Sequence, residues 1–214
     1  MNIRSIALLS SMMAASYAHA ENLYVLGALG QSRFSSSGGS PQGVLATNAN
    51  LTADGAAGSA ARFDDKDFGY KLQVGYSFNQ NFAVEGGYVD LGQQNYRVNF
   101  DTGSGHAKSD DNGLNIAALG IVPLDGQFSL FGKVGMIDAK VDYHFSGGDA
   151  GGNFSTSHEN IKFSPEFGVG AMYSLNDVAD LRLEAERFAD LGKKSTTGEA
   201  DVNLLSLGVA YRFN

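Results

Sequence analysis

Several residue types and patterns are scarce in this sequence of 214 residues. Cysteine and tryptophan are absent, and proline occurs only 3 times. Without cysteine there is no disulfide and no thiolate metal site, so stability must come from packing and polar contacts. Beyond residue 20, no apolar run reaches the roughly 18 residues of a membrane-spanning helix. These absences exclude disulfide-rich secreted domains and helical membrane proteins.

Positive charge is also in short supply. Lys and Arg total 15 against 23 Asp and Glu, the formal net charge is −8, and the mean hydropathy is −0.14. No basic cluster offsets this balance, so nucleic acid is not an expected partner. His106 and His158 stand alone without metal-ligand spacing, and no phosphate-loop pattern occurs. We therefore expect no metal, no nucleotide and no other cofactor.

The first twenty residues have the pattern of a secretory signal peptide. Arg4 is their only charge, an apolar run begins at Ile6, and the segment ends on Ala18, His19 and Ala20. A basic start, a short apolar core and a small-x-small end are typical of a peptide removed after export. The sequence thus predicts a signal peptide at 1–20 and one domain at 21–214.

The stretch from Asp67 to Gly92 shows strict alternation at a period of two. One row carries aromatic residues at its ends and aliphatic residues between them: Phe68, Tyr70, Leu72, Val74, Tyr76 and Phe78. The other row is small or polar and includes Lys71 and Gln73. After a turn at 79–81, Glu85 stands opposite the apolar row that begins at Phe82. Aromatic ends and an aliphatic centre suit a strand that crosses a bilayer, with its polar row facing inward.

Eight strands of this kind are predicted along the chain, with short and long connections alternating between them. The strands are Asn22–Phe34, Phe68–Phe78, Phe82–Leu91, Gly113–Val122, Phe128–Phe145, Ile161–Leu175, a segment around Leu183, and Asn203–Asn214. The long connections are 35–65, 92–112, 146–160 and 189–201, and Asn95–Phe100 can extend the third strand. The pattern predicts an all-β, eight-stranded antiparallel up-and-down transmembrane β-barrel. The facing of the first and fourth strands is undecided, because both of their rows are apolar or small.

Two further patterns fix the orientation of this barrel. The outward rows near the short turns carry an aromatic girdle: Tyr76, Phe78, Phe82, Phe128, Tyr173, Tyr211 and Phe213. Ten basic residues lie in or beside the long connections: Arg33, Arg62, Lys66, Arg97, Lys108, Lys140, Lys162, Arg187, Lys193 and Lys194. We expect the long loops outside the cell and both chain ends in the periplasm of a Gram-negative bacterium. The basic residues suit lipopolysaccharide phosphates as partners, although neighbouring Asp64, Asp65, Asp110 and Asp111 can balance them instead.

The chain resembles the OmpA-like family of eight-stranded outer-membrane barrels. The residues that carry the resemblance are GYKLQVGYSFN, NFAVEGGYVDLG, FSLFGKVG, RLEAERF and the closing LLSLGVAYRF. It implies the barrel domain only, since no peptidoglycan-binding domain follows residue 214. It also implies that Gly208, Tyr211 and Phe213 form the signal read by the outer-membrane assembly machinery, although Asn214 follows the usual terminal aromatic residue.

The inward rows of the predicted strands contain eight charged residues, four acidic and four basic. They are Lys71, Glu85, Lys133, Glu166, Arg182, Glu184, Glu186 and Arg212. An eight-stranded barrel is filled by its own side chains, so these charges must pair. In the related family, charges at the positions of Glu85, Lys133 and Arg182 form such a network. The pairs can be a structural core, or they can exchange partners and pass ions or small solutes.

Three classes of function remain open at this point. The first is a non-enzymatic structural or surface-interaction role through the extracellular loops, whose external ligand the sequence does not reveal, within a membrane of lipids and lipopolysaccharide. The second is a small low-conductance pore. The third, and least favoured, is a lipid A-modifying enzyme, because His144 and Ser146 are similar to the His-x-Ser of barrel deacylases but lack the rest of that motif.

The predicted cleavage site can be tested directly. Export should remove residues 1–20, because the Ala-x-Ala pattern ends at Ala20 and a strand begins almost at once. N-terminal sequencing of protein isolated from outer membranes should begin at Glu21. A mature protein that still carries Met1 would contradict both the export and the barrel interpretation.

Overall fold

The structure is a computed structural model that describes residues 22–36, 60–100, 103–149, 152–193 and 198–213. Within these ranges no helix is long and apolar enough to cross a membrane. The predicted signal peptide lies outside the described residues, and its cleavage remains a prediction. The strands are β1 (Leu23–Ser36), β2 (Ala60–Asp64), β3 (Lys66–Asn79), β4 (Phe82–Phe100), β5 (Gly103–Pro123), β6 (Phe128–Asp149), β7 (Gly152–Asn176), β8 (Ala179–Lys193) and β9 (Gly198–Arg212).

These strands close into a barrel in which every pairing is antiparallel. From β3 to β9 each strand pairs with the next, and β1 closes the ring by pairing with both β3 and β9. The short β2 continues the line of β3 along β4 and is separated from β3 only by Asp65. The ring therefore has eight members and no free edge at membrane depth, as lipid requires. The predicted all-β eight-stranded barrel is confirmed.

Side chains alternate between the barrel interior and the lipid side along the strands. On β3, Leu72 is 64% exposed whereas Lys71 is 2% exposed. The structure also decides the two strands whose facing was open. Tyr24 and Leu26 of β1 point inward, as do Asn115 and Leu119 of β5. Both rows of these strands look apolar because the interior itself contains apolar layers.

The aromatic girdle lies on the lipid side. Phe78, Phe82, Tyr173, Tyr211 and Phe213 are exposed, while Tyr76 and Phe128 are half-buried. Neighbouring rings of the girdle contact each other edge-on, with centroids 5.2 Å apart for Tyr76 and Phe78 and 5.5 Å apart for Tyr211 and Phe213. Such rings favour the interface between hydrocarbon and water.

The interpretation of 92–112 and 146–160 as long loops is wrong. Strand β4 continues to Phe100, β5 starts at Gly103, β6 continues to Asp149 and β7 starts at Gly152, so these segments are strands that extend beyond the lipid-facing belt. The extension of the third strand through Asn95–Phe100 is confirmed. In this part of β5 the inward row consists of small or polar residues such as Ala107, Ser109 and Asp111, which are buried. The apolar–polar alternation that marks a half-buried strand is therefore missing from the sequence. The other two predicted loops are also wrong in part, because residues 60–64 form β2, β8 continues to Lys193 and β9 starts at Gly198. Their remaining residues 37–59 and 194–197 lie outside the described ranges.

The strands bulge where they leave the barrel. Gly92 has a φ of 80° at a register shift between β4 and β5, and a side chain there would collide with the carbonyl of Phe68 and with Asp67. Asp190 has a φ of 56° at a similar shift between β8 and β9. Its carbonyl accepts hydrogen bonds from Lys162 Nζ at 2.8 Å and Ser164 Oγ at 3.1 Å. These bulges let β4 and β8 change direction above the barrel.

All three short turns at the opposite end are closed by the same device. Asn79 Oδ1 accepts the N–H groups of Asn81 and Phe82, and Asn176 Oδ1 accepts that of Val178 at 3.0 Å. In the third turn, Asp125 Oδ1 accepts the N–H groups of Gln127 at 2.9 Å and Phe128 at 2.6 Å. Side-chain acceptors of this kind fix a turn by binding the backbone two or three residues ahead.

The Asp125 turn should show a pH dependence that the Asn79 turn lacks. The backbone N–H groups of Gln127 and Phe128 hold the pKa of the Asp125 carboxyl below its usual range. A lowered pKa gives stability that is present above the unfolded value of about 4 and is lost as the pH falls through the folded value. Asp125→Asn should therefore be less stable than the wild type at pH 7, and this difference should disappear in acid.

Urea unfolding in lipid vesicles at several pH values measures this difference. Asn79→Ala is the matched control, because an amide does not titrate and its loss should cost the same at every pH. A difference between Asp125→Asn and the wild type that stays constant from neutral to acid pH would show that the charge of Asp125 contributes nothing.

Candidate functional site

The middle of the barrel interior is a layer of charged side chains. Inward positions of β3, β4, β6, β7 and β8 meet there, because the strands curve around a common axis and each presents alternate residues to it. No side chain of the layer is more than 4% exposed. Its charged members are Lys71, Glu85, Lys133, Glu166, Arg182, Glu184 and Glu186.

The two lysines of the layer are each shared among several carboxylates. Lys71 Nζ lies 2.5 Å from Glu184 Oε2 and 2.6 Å from Glu186 Oε2. Lys133 Nζ lies 2.8 Å from Glu186 Oε1 and 2.9 Å from Glu166 Oε1. It is also 3.6 Å from Glu85 Oε2 and 3.9 Å from Glu184 Oε2. All four glutamates of the layer therefore lie within 4 Å of the Lys133 ammonium group.

Arg182 links Glu85 on β4 to Glu184 on β8. One guanidinium nitrogen donates to Glu85 Oε1, and the other lies 2.8 Å from Glu184 Oε1. The guanidinium carbon also stands 4.7 Å from the centre of the Phe131 ring, within range of a cation–π contact. Tyr24 Oη donates to Glu85 Oε1 at 2.6 Å. Glu184, the Phe131 ring and Tyr24 thus hold the Arg182–Glu85 pair in one arrangement.

Neutral amides complete the layer on the β3–β5 side. Asn115 Nδ2 donates to Glu166 Oε2 at 2.8 Å, and Gln73 Nε2 donates to Asn115 Oδ1 at 3.1 Å. Both amides are almost fully buried. Glu166 therefore has a lysine on one oxygen and an amide donor on the other, so neither oxygen lacks a polar neighbour.

Arg212, the eighth residue predicted for the network, does not join it. Its guanidinium pairs with Asp180 and donates to the carbonyl of Asp177 at 3.3 Å, close to the turn between β7 and β8. The side chain is 38% exposed. Its inward parity was read correctly, but Arg212 is the last residue of β9, so it lies at the mouth of the barrel. The central layer accordingly has four carboxylates and three cations, not the balanced set of eight that the sequence suggested.

Apolar layers close the interior on both sides of the charges. Towards the turns lie Tyr24, Leu26, Ala83, Leu119, Phe131 and Ala210, with Ile121 and Met172 packed against them. Towards the extended strands lie Phe34, Val89, Leu91, Ile137, Ala139, Val141, Phe188, Leu191, Val202 and Leu204. The rings of Tyr24 and Phe131 can cross the interior because they pass over Gly75 and Gly170, where a side chain would collide with them.

This arrangement suits a filled core better than a channel. An ion entering from either end must cross a layer of packed apolar side chains, which offers it no ligands. It must then separate buried ion pairs, and an unpaired buried charge costs several kcal/mol, on the order of 3–5 kcal/mol. Among the described residues there is also no group of three His, Asp or Glu side chains arranged to hold a metal.

Sequence reasoning placed Gln73 on the inward row of β3 with Lys71 but did not identify Tyr24, Asn115 or Asp180 as part of the polar interior. A usable signal existed for Asp180, which shares a row with Arg182. No comparable signal existed for Tyr24 and Asn115, because the facing of β1 and β5 could not be read from rows that are apolar on both sides.

Of the predicted assembly residues, Gly208 and Tyr211 lie on β9, and Phe213 directly follows its last residue. Gly208 is buried, and a side chain there would collide with Ala28 of β1. Tyr211 and Phe213 face outward with the aromatic girdle. His144 and Ser146 lie on one face of β6 beyond the lipid-facing belt, and His144 is exposed.

Comparison with known proteins identifies the family. A family model for the OmpA-like transmembrane domain matches residues 18–214. The chain belongs to this family. It is an outer-membrane β-barrel of the kind found in Gram-negative bacteria.

Curated relatives agree with membership in the OmpA-like family. Outer membrane protein A of Serratia marcescens is 29% identical over 141 residues, which are 65% of this chain and 38% of the relative. That of Klebsiella pneumoniae is 29% identical over 140 residues, 65% of this chain and 39% of the relative. The chain thus spans about two fifths of the length of these relatives.

Solved structures show that other barrels share the fold. Neisserial surface protein A matches with a TM-score of 0.51 at 16% identity, over 89% of this chain and 97% of its own. Ail of Yersinia pestis, in complex with the heparin analogue sucrose octasulfate, matches with a TM-score of 0.51 at 18% identity, over 90% of this chain and 99% of its own. At these identities the likeness to the OmpA-like chain extends to the fold alone.

The two faces of β3 should respond to substitution in different ways. Val74 faces lipid, so Val74→Arg places a charge in the apolar belt and should cost about 2–4 kcal/mol of unfolding free energy. Val74→Leu is the matched control and should be nearly neutral. Lys71→Met should cost about 3–5 kcal/mol, because Glu184 and Glu186 lose their shared cation.

A second substitution separates the two causes. Adding Glu184→Gln to Lys71→Met removes one uncompensated charge and should recover part of the loss, whereas adding it to Val74→Arg should not help. Urea unfolding in lipid vesicles measures all five proteins. Equal costs for Val74→Leu and Val74→Arg, together with no recovery in the Lys71 double variant, would show that the facing is wrong.

Proposed function

We propose that this protein is a non-enzymatic outer-membrane barrel with a structural or surface-interaction role, carried by the strands and loops at its outer end. The single observation behind this proposal is the sealed interior. Apolar layers stand above and below a charged layer whose side chains are all buried. A barrel filled in this way supplies a stable anchor for the strands and loops that lie outside the membrane.

The ion pairs serve the structural role through their geometry. Lys71 on β3 reaches Glu184 and Glu186 on β8, across the two strands that close the ring. Removing either partner leaves a buried charge without compensation. All of these charges are paired only when the ring is closed in the correct register, so the network stabilises the closed barrel.

A small low-conductance pore is the alternative, and one feature of the charged layer favours it. Lys133 has four glutamates between 2.8 and 3.9 Å from its ammonium group, so it can exchange partners with small movements. Conduction by such an exchange also requires the apolar layers to part. We place this role second because both layers are closely packed.

A lipid A-modifying activity has less support. His144 stands opposite Lys108 and Ser157 in the register, and no carboxylate lies directly across from it to orient the imidazole. The named relatives are outer membrane protein A, which does not point to an enzyme.

Outer-membrane lipids, lipopolysaccharide and the assembly machinery are the partners that we propose. Gly208 faces the barrel interior, whereas Tyr211 and Phe213 face outward, which is the alternation expected of an assembly signal. Ail binds a sulfated saccharide analogue with a barrel of the same fold, which shows that this architecture is compatible with anionic saccharide ligands.

Several basic residues predicted to meet lipopolysaccharide already have acidic neighbours. Arg33 pairs with Asp65 at 3.0 Å, Lys108 with Asp110 at 3.1 Å and Arg187 with Asp201 at 2.5 Å. These pairs are exposed and individually weak. They nevertheless favour charge balance over phosphate binding at those positions, so the ten basic residues are not equivalent.

Conductance of the purified, refolded protein tests the proposal against its alternative. We expect no steady ionic current in planar bilayers, because the apolar layers exclude hydrated ions. Insertion is verified on the same preparation by the mobility shift between boiled and unboiled samples in gels. Reproducible single-channel steps would instead support the pore. Mass analysis of lipid A from cells with and without the protein tests the enzymatic possibility.

A further inference from the structure

The extended strands form a sheet whose outer face continues the lipid-facing surface of the barrel. Strand β5 is paired to β6 without interruption from Gly103 to Pro123, so alternate residues keep one facing throughout. Leu114 and Ile116 face lipid, and His106 lies on the same face eight residues beyond Leu114. At 3.3 Å per residue this separation is about 26 Å along the strand. The outer face of the extension therefore lies beside the groups that neighbouring lipids carry above their acyl chains.

One row of residues across this face is basic and has no acid within it. In the strand register Arg62 of β2 stands opposite Arg97 of β4, and Arg97 stands opposite His106 of β5. The row continues through Ser146 of β6 to Ser155 of β7. Residues directly opposite on antiparallel strands are about 5 Å apart at Cβ, and like charges there are unfavourable. Two opposed arginines followed by a histidine thus form a position that an anion would stabilise.

No acidic residue among those described neutralises Arg97. It is exposed, and its guanidinium makes no ion pair with any side chain that the structure describes. The nearest acids in the register belong to the neighbouring rows. Asp64 stands opposite Asn95, diagonal to Arg97, and Asp110 is paired with Lys108 at 3.1 Å. His106 Nε2 is shielded from solvent and has no hydrogen-bond partner among the described residues.

The acidic residues of the same face lie closer to the membrane and carry their own counter-charges. Asp110, Asp142 and Glu159 stand in one row across β5, β6 and β7. Lys140 Nζ contacts Asp142 at 2.9 Å and Glu159 at 3.0 Å, and these two carboxylates raise the pKa of Lys140. The face is therefore divided into an acidic band that is internally compensated and a basic row beyond it that is not.

We propose that the exposed Arg97 binds phosphate groups on the core saccharide of lipopolysaccharide. We call the positions Arg62, Arg97 and His106, which stand side by side in the strand register, the basic row. Guanidinium groups match phosphate in charge and shape, and Ser146 and Ser155 supply hydroxyl donors along the same line. The row faces sideways, in line with Leu114 and Ile116. A lipopolysaccharide whose acyl chains cover these two residues carries its saccharide up the same face. A ligand arriving from outside meets the strand tips first.

This inference rests on the proposed surface role and makes it specific. The height of the row selects the saccharide core, because the phosphates of lipid A lie at the membrane surface, where the acidic band already stands. Among the basic residues of this face, Arg97 takes part, whereas Lys140, which is already paired with Asp142 and Glu159, does not. Lys140 is thus a matched control on the same face.

The experiment measures binding of two lipopolysaccharides to the refolded protein in detergent micelles. One has a phosphorylated core, and the other is truncated so that it keeps lipid A but lacks the core phosphates. Arg97→Ser should weaken binding of the phosphorylated form about tenfold, which corresponds to the loss of one charge-assisted hydrogen bond. It should leave binding of the truncated form unchanged. Lys140→Ser should change neither.

A stability measurement gives a second readout, because the difference in unfolding free energy between the wild type and Arg97→Ser should change sign when lipopolysaccharide is added. In vesicles without lipopolysaccharide, Arg97→Ser should unfold at the same or a higher urea concentration than the wild type, because it removes an opposed like charge. With the phosphorylated lipopolysaccharide present, the wild type should become the more stable protein.

Three outcomes would overturn the inference: Arg97→Ser binds the phosphorylated form as the wild type does, it loses both forms equally, or Lys140→Ser shows the same loss. Current recordings on the same wild-type and Arg97→Ser proteins keep the two proposals apart. A conducting barrel with an intact basic row would contradict the closed structural role and leave the saccharide site standing. A silent barrel that binds both lipopolysaccharides without Arg97 would contradict only the site.

Discussion

The buried layer of seven charges is the constraint on which the rest of this barrel depends. Three cations and four carboxylates without contact to water are stable only when paired, and the pairs join strands that are far apart in sequence. Lys71 and Glu186 are separated by 115 positions. They meet only after β1 has paired with both β3 and β9. The buried charges are therefore neutralised by their partners only when the ring of strands is closed.

The apolar layers on either side give those ion pairs their environment. They exclude water, which strengthens each charge–charge contact and raises the cost of losing a partner. The same packing supports our proposal that the interior does not conduct ions. One set of side chains therefore accounts for both the stability of the barrel and our preference for a structural role.

Outside the lipid the same strands obey different rules. Above the bulges at Gly92 and Asp190, charge replaces hydrophobicity as the organising feature of the outer face, whereas inward residues such as Ala107, Ser109 and Asp111 remain buried. Exposed pairs such as Lys140 with Glu159 contribute little to stability. Their distribution still matters, because among the described side chains it leaves Arg97 without an ion-pair partner, and this supports our proposal that Arg97 binds phosphate.

The sequence alone determined the strand periodicity, the lipid-facing rows and the inward parity of all eight predicted charges, because alternation at a period of two survives wherever one face meets lipid and the other a polar interior. It could not determine the facing of β1 and β5, whose two rows are both apolar, nor the strands at 92–112 and 146–160, which carry few apolar residues on either row. Height along the barrel axis was also invisible, so Arg212 was assigned to a layer that it does not reach. The tertiary structure decided these points, because the depth of a side chain and its partners depend on strand stagger and closure, which link residues more than a hundred positions apart.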